Sequence, residues 1–112
     1  MTPKVTLFAH ASEAELARLF DFYAIRWEYE PYTFAIAFDA DGNVTEAFTP
    51  DFYLPDFDLY IEVTVMKQSL ATKKNRKMRL FRERFPGLNI KLFGKRDVER
   101  LFGKYEALRP SA

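Results

Sequence analysis

The spacing of apolar side chains divides the chain into stretches of different period. Leu16, Leu19, Phe20 and Tyr23 recur at helical spacing, which predicts a helix with one buried stripe. Ser12 opens it, and Ser12-x-x-Glu15 has the form of a capping box, in which hydroxyl and carboxylate each satisfy a first-turn amide. From Trp27 the period changes. "WEYEPYTFAIAF" alternates and is rich in β-formers, so it predicts a strand. "DADGN" is a turn in which Gly42 supplies a positive φ, and "VTEAFTPDFYLP" is a second strand paired back on the first. Pro50 lacks an amide donor, so it marks an edge position or a bulge. "LYIEVTVM" is a third strand with Leu59, Ile61, Val63 and Val65 on one face.

A helix then runs through about Phe85 and is ended by Pro86-Gly87, with Leu70, Met78, Phe81 and Phe85 as its inner stripe. "NIKLF" predicts a fourth strand and "RDVERLFGKYEAL" a last helix, followed by a frayed tail at "RPSA". The predicted order is α-β-β-β-α-β-α, an α/β domain with a mixed four-stranded sheet flanked by helices. No repeat, linker or low-complexity segment interrupts residues 1–112, so a single domain is expected.

Composition narrows the function classes. Hydrophobic residues make up 48% of the chain and aromatic ones 17%, enough for a small domain to build a core. Cysteine is absent, which excludes disulfides and thiolate metal sites. "MTPKVTLFAH" has no signal-peptide apolar run, and no stretch approaches the roughly 20 apolar residues of a membrane span. A soluble, cytoplasmic protein with no membrane partner is expected.

The net charge of +1 conceals a division. Residues 1–66 hold 3 Lys/Arg against 12 Asp/Glu, whereas residues 67–84 hold 8 Lys/Arg against Glu83 alone. A cation suits the first part and a polyanion the second. Lys73, Lys74, Arg76, Lys77, Arg79, Arg82 and Arg84 mostly cover the outer face of the basic helix, and Arg96 and Arg100 could extend the patch. Lysine and arginine neutralise phosphates without reading sequence, so DNA is the expected partner.

Two acids stand out around the second and third strands. Asp51 follows Pro50, and Glu62 lies eleven residues later. In neighbouring strands the two carboxylates converge at one end of the sheet; their repulsion is relieved by a hard cation such as Mg2+ or Mn2+. The plainer account makes Asp51 a turn cap and Glu62 a solvated residue. Glu13 lies three, four and seven residues before Leu16, Ala17 and Phe20, on the helix's buried stripe, whereas Glu15 is about 200° away around the helix. A carboxylate on that stripe needs a partner, although a first-turn acid also favours the helix dipole. His10 is the only histidine, which gives a histidine-based nucleophile little support. Asp39-x-Asp41-Gly42 fails the EF-hand spacing and is explained by the hairpin. Asp56 and Asp58 fall in a turn, and Tyr53, Phe57 and Tyr60 are expected to pack on the sheet.

"WEYEP", then "FTPDFYLP", then "YIEV" resemble the small phage- and transposon-type endonucleases of the PD-(D/E)XK superfamily, including phage Holliday-junction resolvases. The resemblance runs from about Ser12 to Phe93 and implies a restriction-endonuclease-like core. It makes Glu13 the helix acid, Asp51 the aspartate of the motif, and Glu62 the second metal carboxylate, with the Val63 carbonyl completing the metal shell. The departure is Thr64, which stands where the family has the lysine that holds the attacking water or steadies charge on phosphorus. A hydroxyl supplies no positive charge. Lys67, three residues on, is the favoured replacement, with Lys73, Lys74 and Lys77 as further candidates; Gln68 is a hydrogen-bond donor to phosphate.

The resulting expectation is a Mg2+- or Mn2+-dependent endonuclease that hydrolyses DNA phosphodiester bonds in branched or duplex substrates. Glu13, Asp51, Glu62 and Lys67 are its catalytic set, and Lys73, Lys74, Arg76, Lys77 and Gln68 contact nucleic acid. Symmetry favours a homodimer that sets two sites across two strands. The alternatives are a catalytically inactive nucleic-acid-binding module on the same fold, favoured by Thr64, and a protein-interaction domain whose basic helix docks an acidic partner.

Overall fold

A computed structural model describes residues 6–64 and 68–93, together with Asp97 and Arg100. Helix α1 (Ala11–Phe22) is followed by strands β1 (Glu28–Tyr29), β2 (Phe34–Phe38), β3 (Val44–Phe48), β4 (Phe52–Leu54) and β5 (Leu59–Val63). Helix α2 (Gln68–Arg84) and strand β6 (Asn89–Phe93) complete the order. The class is α/β, with a mixed four-stranded sheet ordered β1-β4-β5-β6. Strands β2 and β3 form a separate two-stranded sheet.

The long hairpin expected from residues 27–55 is thus broken in both arms, and two prolines explain the break. Pro31 has no amide donor, and the preceding Glu30 takes the left-handed region with φ 45°. Pro50 interrupts the opposite arm and is buried. Below the break Glu28 pairs with Tyr53 and Tyr29 with Phe52; above it Phe34 pairs with Phe48. At the break itself Glu30 N–H donates to the Asp51 carbonyl at 2.9 Å, and the Thr33 and Thr49 hydroxyls meet at 2.8 Å. One continuous ribbon becomes two short pairings in separate sheets, and the acids Glu30 and Asp51 sit at the break. At the far end of the hairpin, Asp39 Oδ1 accepts from the amides of Asp41 and Asn43, both at 2.9 Å, and Gly42 takes φ 85°.

The central strand β5 pairs antiparallel with β4 through Phe52↔Ile61 and Leu54↔Leu59. It pairs parallel with β6 through Leu59↔Asn89 to Val63↔Phe93, and α2 makes the crossover. Alternation along β4 and β5 separates two cores. Phe52, Leu54, Ile61 and Val63 pack on Leu16, Ala17 and Phe20 of α1. Tyr60 joins Ile36, Phe48, Met78, Phe81 and Ile90 in the other, beneath α2 and the separate hairpin. Phe52 is the hub of the first core: its ring lies 5.5–6.1 Å from those of Tyr29, Phe20, Trp27 and Phe8.

Helix α1 starts at Ala11, one residue before the expected Ser12, and its capping acid is Glu13 rather than Glu15. Glu13 Oε2 accepts from the His10 amide at 3.0 Å. The helix ends with Ala24 in the left-handed region (φ 57°), where Ala24 N–H donates to Asp21 O and Ile25 N–H to Phe20 O. That is the pattern of a Schellman stop with alanine in the glycine position. Helix α2 buries Met78 and Phe81 and ends before Phe85, which still packs on the core. No helix among the described residues is long and apolar enough to cross a membrane. Val65, Arg96, the Leu70 side chain, the tail and all of the expected last helix except Asp97 and Arg100 lie outside the described residues.

Candidate metal centre

The break in the ribbon, the first turn of α1 and the end of β5 meet at one place. Glu13 belongs to the buried stripe of α1, beside Leu16, Ala17 and Phe20, and is 2% exposed. Such a carboxylate must be satisfied. The His10 amide holds Oε2, and the Tyr29 hydroxyl donates to Oε1 at 3.0 Å while accepting from the Ala9 amide at 3.1 Å. Glu13, Glu30 and Asp51 each bring one carboxylate oxygen, and these three oxygens lie within 4.8 Å of one another. Glu13 is buried, Asp51 half-buried and Glu30 exposed, so the cluster opens to solvent on the Glu30 side.

Asp51 also joins this cluster to β5. Its Oδ2 accepts from the Val63 amide at 2.8 Å, and its own amide donates to Glu62 Oε1 at 3.2 Å. The backbone ladder of β4 and β5 stops at Phe52↔Ile61, and one step further these two side-chain bonds replace it. Alternation turns Glu62 away from Ile61 and Val63, onto the face covered by α2. There Lys74 Nζ lies 3.3 Å from Glu62 Oε2 and donates to the Val63 carbonyl at 2.5 Å.

Burial raises the pKa of all three predicted acids. Asp51 is pushed up to about 6, first by burial and then by the Glu62 charge, against the pull of the Val63 amide and Lys74. Glu62 is raised by burial despite Lys74 and the bonds to Asp51. Glu13 is raised by burial and by the Asp51 charge, with the Tyr29 bond opposing. Tyr29 is pushed up to about 12 by burial and by its bond to an acid that gains from its proton. Negative charge is therefore held close together at a cost, with Lys74 as the cationic partner of Glu62 among the described residues.

A hard divalent cation fits these residues. The donors are carboxylate oxygens, the set Mg2+ and Mn2+ prefer. Their mutual repulsion is the quantity a cation relieves. Glu13, Glu30 and Asp51 could hold one directly, with Glu62 bonded to Asp51 alongside.

Sequence reasoning selected Glu13, Asp51 and Glu62 as metal ligands; the structure groups Glu13 and Asp51 with Glu30, and Glu62 stands outside that group, bonded to the Asp51 amide and paired with Lys74. That reasoning did not select Glu30, or Tyr29 as the donor to Glu13, and it gave Lys74 only as a candidate behind Lys67; the structure sets Lys74 at Glu62. The available signal for Glu30 was the pair of prolines, Pro31 and Pro50, facing each other across the ribbon. Lys67, the favoured lysine, lies outside the described residues. Thr64 continues past β5, its amide donating to the Phe93 carbonyl at 2.7 Å.

The basic face of α2 is only partly open. Lys73 and Arg79 are exposed and Lys77 is half-buried. Lys74 turns to the acids, and Arg76 Nη1 is held by both carboxylate oxygens of Glu46 at 2.6 and 2.7 Å. Arg82 donates to the Ile90 carbonyl at 2.9 Å, and Arg84 lies 4.6 Å from the Phe38 ring centre. Gln68 opens α2, but its side chain lies outside the described residues. No protein-family model matches the chain, and no curated protein or solved structure matches it.

Proposed function

We propose that the protein is a metal-dependent endonuclease that hydrolyses DNA phosphodiester bonds on a restriction-endonuclease-like core. The observation that carries this reading is the convergence of Glu13, Glu30 and Asp51, with Glu62 and its partner Lys74 bonded beside Asp51. Glu13, Glu30 and Asp51 hold Mg2+ or Mn2+, with Glu62 completing the acidic wall. The ion supplies Lewis-acid chemistry, activating water and offsetting charge on the phosphate. Lys74 replaces Lys67 in the role that Thr64 cannot fill, since its ammonium already reaches Glu62 and Val63. Lys73 and Arg79 contact the DNA backbone, and Arg76 does so only by leaving Glu46. The reading implies a soluble, cytoplasmic homodimer that sets one site on each strand.

A nicking assay on plasmid and branched DNA with Mg2+ or Mn2+ tests it. Asp51→Ala and Glu62→Ala remove cleavage that the parent shows, and Lys74→Ala slows it far more than Lys73→Ala or Lys67→Ala. Cleavage undiminished in both acid variants refutes the site. One observation favours a catalytically silent DNA-binding module instead: Lys74 already neutralises Glu62 and caps the Val63 carbonyl. That alternative gives salt-dependent DNA binding with no cleavage under any divalent ion.

A further inference from the structure

At the far end of β5 from the acids lies a groove that carries both positive charge and apolar surface. Strand β5 begins there at Leu59 and reaches the acids at Val63, roughly 13 Å away at about 3.3 Å per residue. The groove measures about 600 Å³, within the range of small-molecule sites, and none of Glu13, Glu30, Asp51 and Glu62 lines it. Leu59 and Leu88 are half-buried in its wall, and Phe57 stands beside them 53% exposed. Its cations are Arg82 and Lys91, both exposed, and among the described residues neither has a carboxylate within ion-pair distance. Asp58 follows Phe57 in sequence, but its carboxylate accepts from the Tyr53 hydroxyl at 2.7 Å and does not line the groove. Arg82 Nη2 donates to the Ile90 carbonyl at 2.9 Å, which fixes the guanidinium and leaves its other N–H donors without a partner among the described residues. Strand β6 is the edge of its sheet among those residues, and this bond occupies one of its carbonyls, which stands against an added peptide strand there.

We propose that this groove binds an unpaired nucleotide of a nucleic-acid strand, with its phosphate between Arg82 and Lys91 and its base against Phe57. This rests on the nucleic-acid partner proposed above and not on the metal centre. A guanidinium and an ammonium side by side suit a phosphate, the first through directed hydrogen bonds and the second as a point charge. An exposed ring next to apolar side chains is a stacking platform that accepts any base. Bases inside a duplex are stacked on one another and do not reach such a ring, so the nucleotide comes from an unpaired end or branch. Arg82 lies three residues beyond the exposed Arg79, about one turn along α2. The groove therefore continues the basic surface of that helix. A polynucleotide follows such a surface from phosphate to phosphate, whereas a single phosphorylated side chain uses the groove alone.

The test is DNA binding by the full chain in a chelator at about 0.1 M salt, read by fluorescence anisotropy. The probes are a labelled blunt duplex, the same duplex with a short unpaired overhang, and that overhang with abasic sites in place of its bases. The parent should bind the overhang duplex about tenfold tighter than the blunt one, and the abasic overhang should lose most of that gain. Phe57→Ala and Lys91→Gln change exposed side chains. Each should cut the overhang preference by about threefold or more and leave blunt-duplex affinity within about twofold of the parent. Lys73→Gln should weaken all three probes alike, as a contact to the backbone does. Equal affinity for blunt and overhang duplexes, or a preference that either groove variant leaves intact, overturns the groove and leaves DNA binding standing. A tyrosine-phosphorylated peptide that displaces the overhang duplex at lower concentration than an unlabelled oligonucleotide overturns the choice of a nucleic acid. No binding of any probe overturns the DNA partner and the groove with it.

Discussion

Asp51 is the residue at which the proposed chemistry should cost the fold most. Its carboxyl is half-buried beside Glu62 and titrates at about 6, against an ordinary value of 3.8. Folding therefore raises its proton affinity. Between about pH 4 and pH 6 the native chain binds more protons at Asp51 than the unfolded chain, so stability falls as pH rises through that window and levels off above it. A shift of roughly two units at 1.36 kcal/mol each gives about 3 kcal/mol as an upper bound. Partial exposure and sharing of the proton with Glu62 reduce the expected effect to about 1–2 kcal/mol.

Asp51→Asn isolates that cost. The amide oxygen can still accept from the Val63 amide, and the amide nitrogen can donate toward Glu62, so the two strands stay joined while the charge is removed. Urea unfolding of parent and variant in a chelator, from pH 4 to pH 8, measures the difference. The two should be nearly equal at pH 4. The variant should become more stable by about 1–2 kcal/mol at pH 7 and hold that margin to pH 8. Adding Mn2+ should stabilise the parent and leave the variant unchanged. A variant less stable than the parent at every pH, or a margin independent of pH, would refute the claim that charge crowding destabilises this site.

Three other experiments separate the fold from the site. Phe52→Ala empties a fully buried hub of the α1 core and should cost about 3–5 kcal/mol in urea unfolding, largely independent of pH. Tyr29→Phe removes the donor to Glu13 and the acceptor for the Ala9 amide. It should cost about 1–2 kcal/mol and move the Glu13 carboxyl titration, followed by NMR, further upward. The Arg76–Glu46 pair joins side chains 52% and 29% exposed, and a double-mutant cycle with both alanines should return no more than about 1 kcal/mol of coupling.

The elements were legible where periodicity was long and uniform. The stripe of α1 and the crossing from β5 through α2 to β6 could be read because apolar spacing, Pro86-Gly87 and a single strand length agree. The capping box could not be placed, since Ser12-x-x-Glu15 and the backbone at His10 both satisfy a helix start. Burial of Glu13 selects the second, because one carboxylate then serves cap, Tyr29 and cluster together. The hairpin was legible as a pair but not as two sheets: strand propensity runs through Glu30-Pro31 and Thr49-Pro50, and only the two prolines in register show that both arms break at one level. Lys74 was one basic residue among many on α2. Its position inward depends on where α2 crosses β5, which sequence periodicity does not specify.

The placement of the acids follows from how the ribbon fails. A continuous antiparallel pair would alternate its side chains between two faces and satisfy every backbone group with its partner. Pro31 and Pro50 prevent that, and the chain compensates locally: Glu30 donates its amide to the Asp51 carbonyl, while the Asp51 carboxylate accepts from the Val63 amide and the Asp51 amide donates to the Glu62 carboxylate. Carboxylates are thus drawn to the interruption as hydrogen-bond acceptors before any ligand is considered. Acceptors alone, however, call for one or two acids, and their charge is then better dispersed into water. Here Glu13 approaches from α1 and Glu30 joins Asp51 within 4.8 Å, although Asp51 and Glu62 already repel. Strand repair accounts for Asp51 and Glu62, and the helix cap and the Tyr29 hydroxyl hold Glu13; none of these bonds calls for the Glu30 carboxylate beside them. A cation at Glu13, Glu30 and Asp51 would offset their charge as Lys74 offsets that of Glu62.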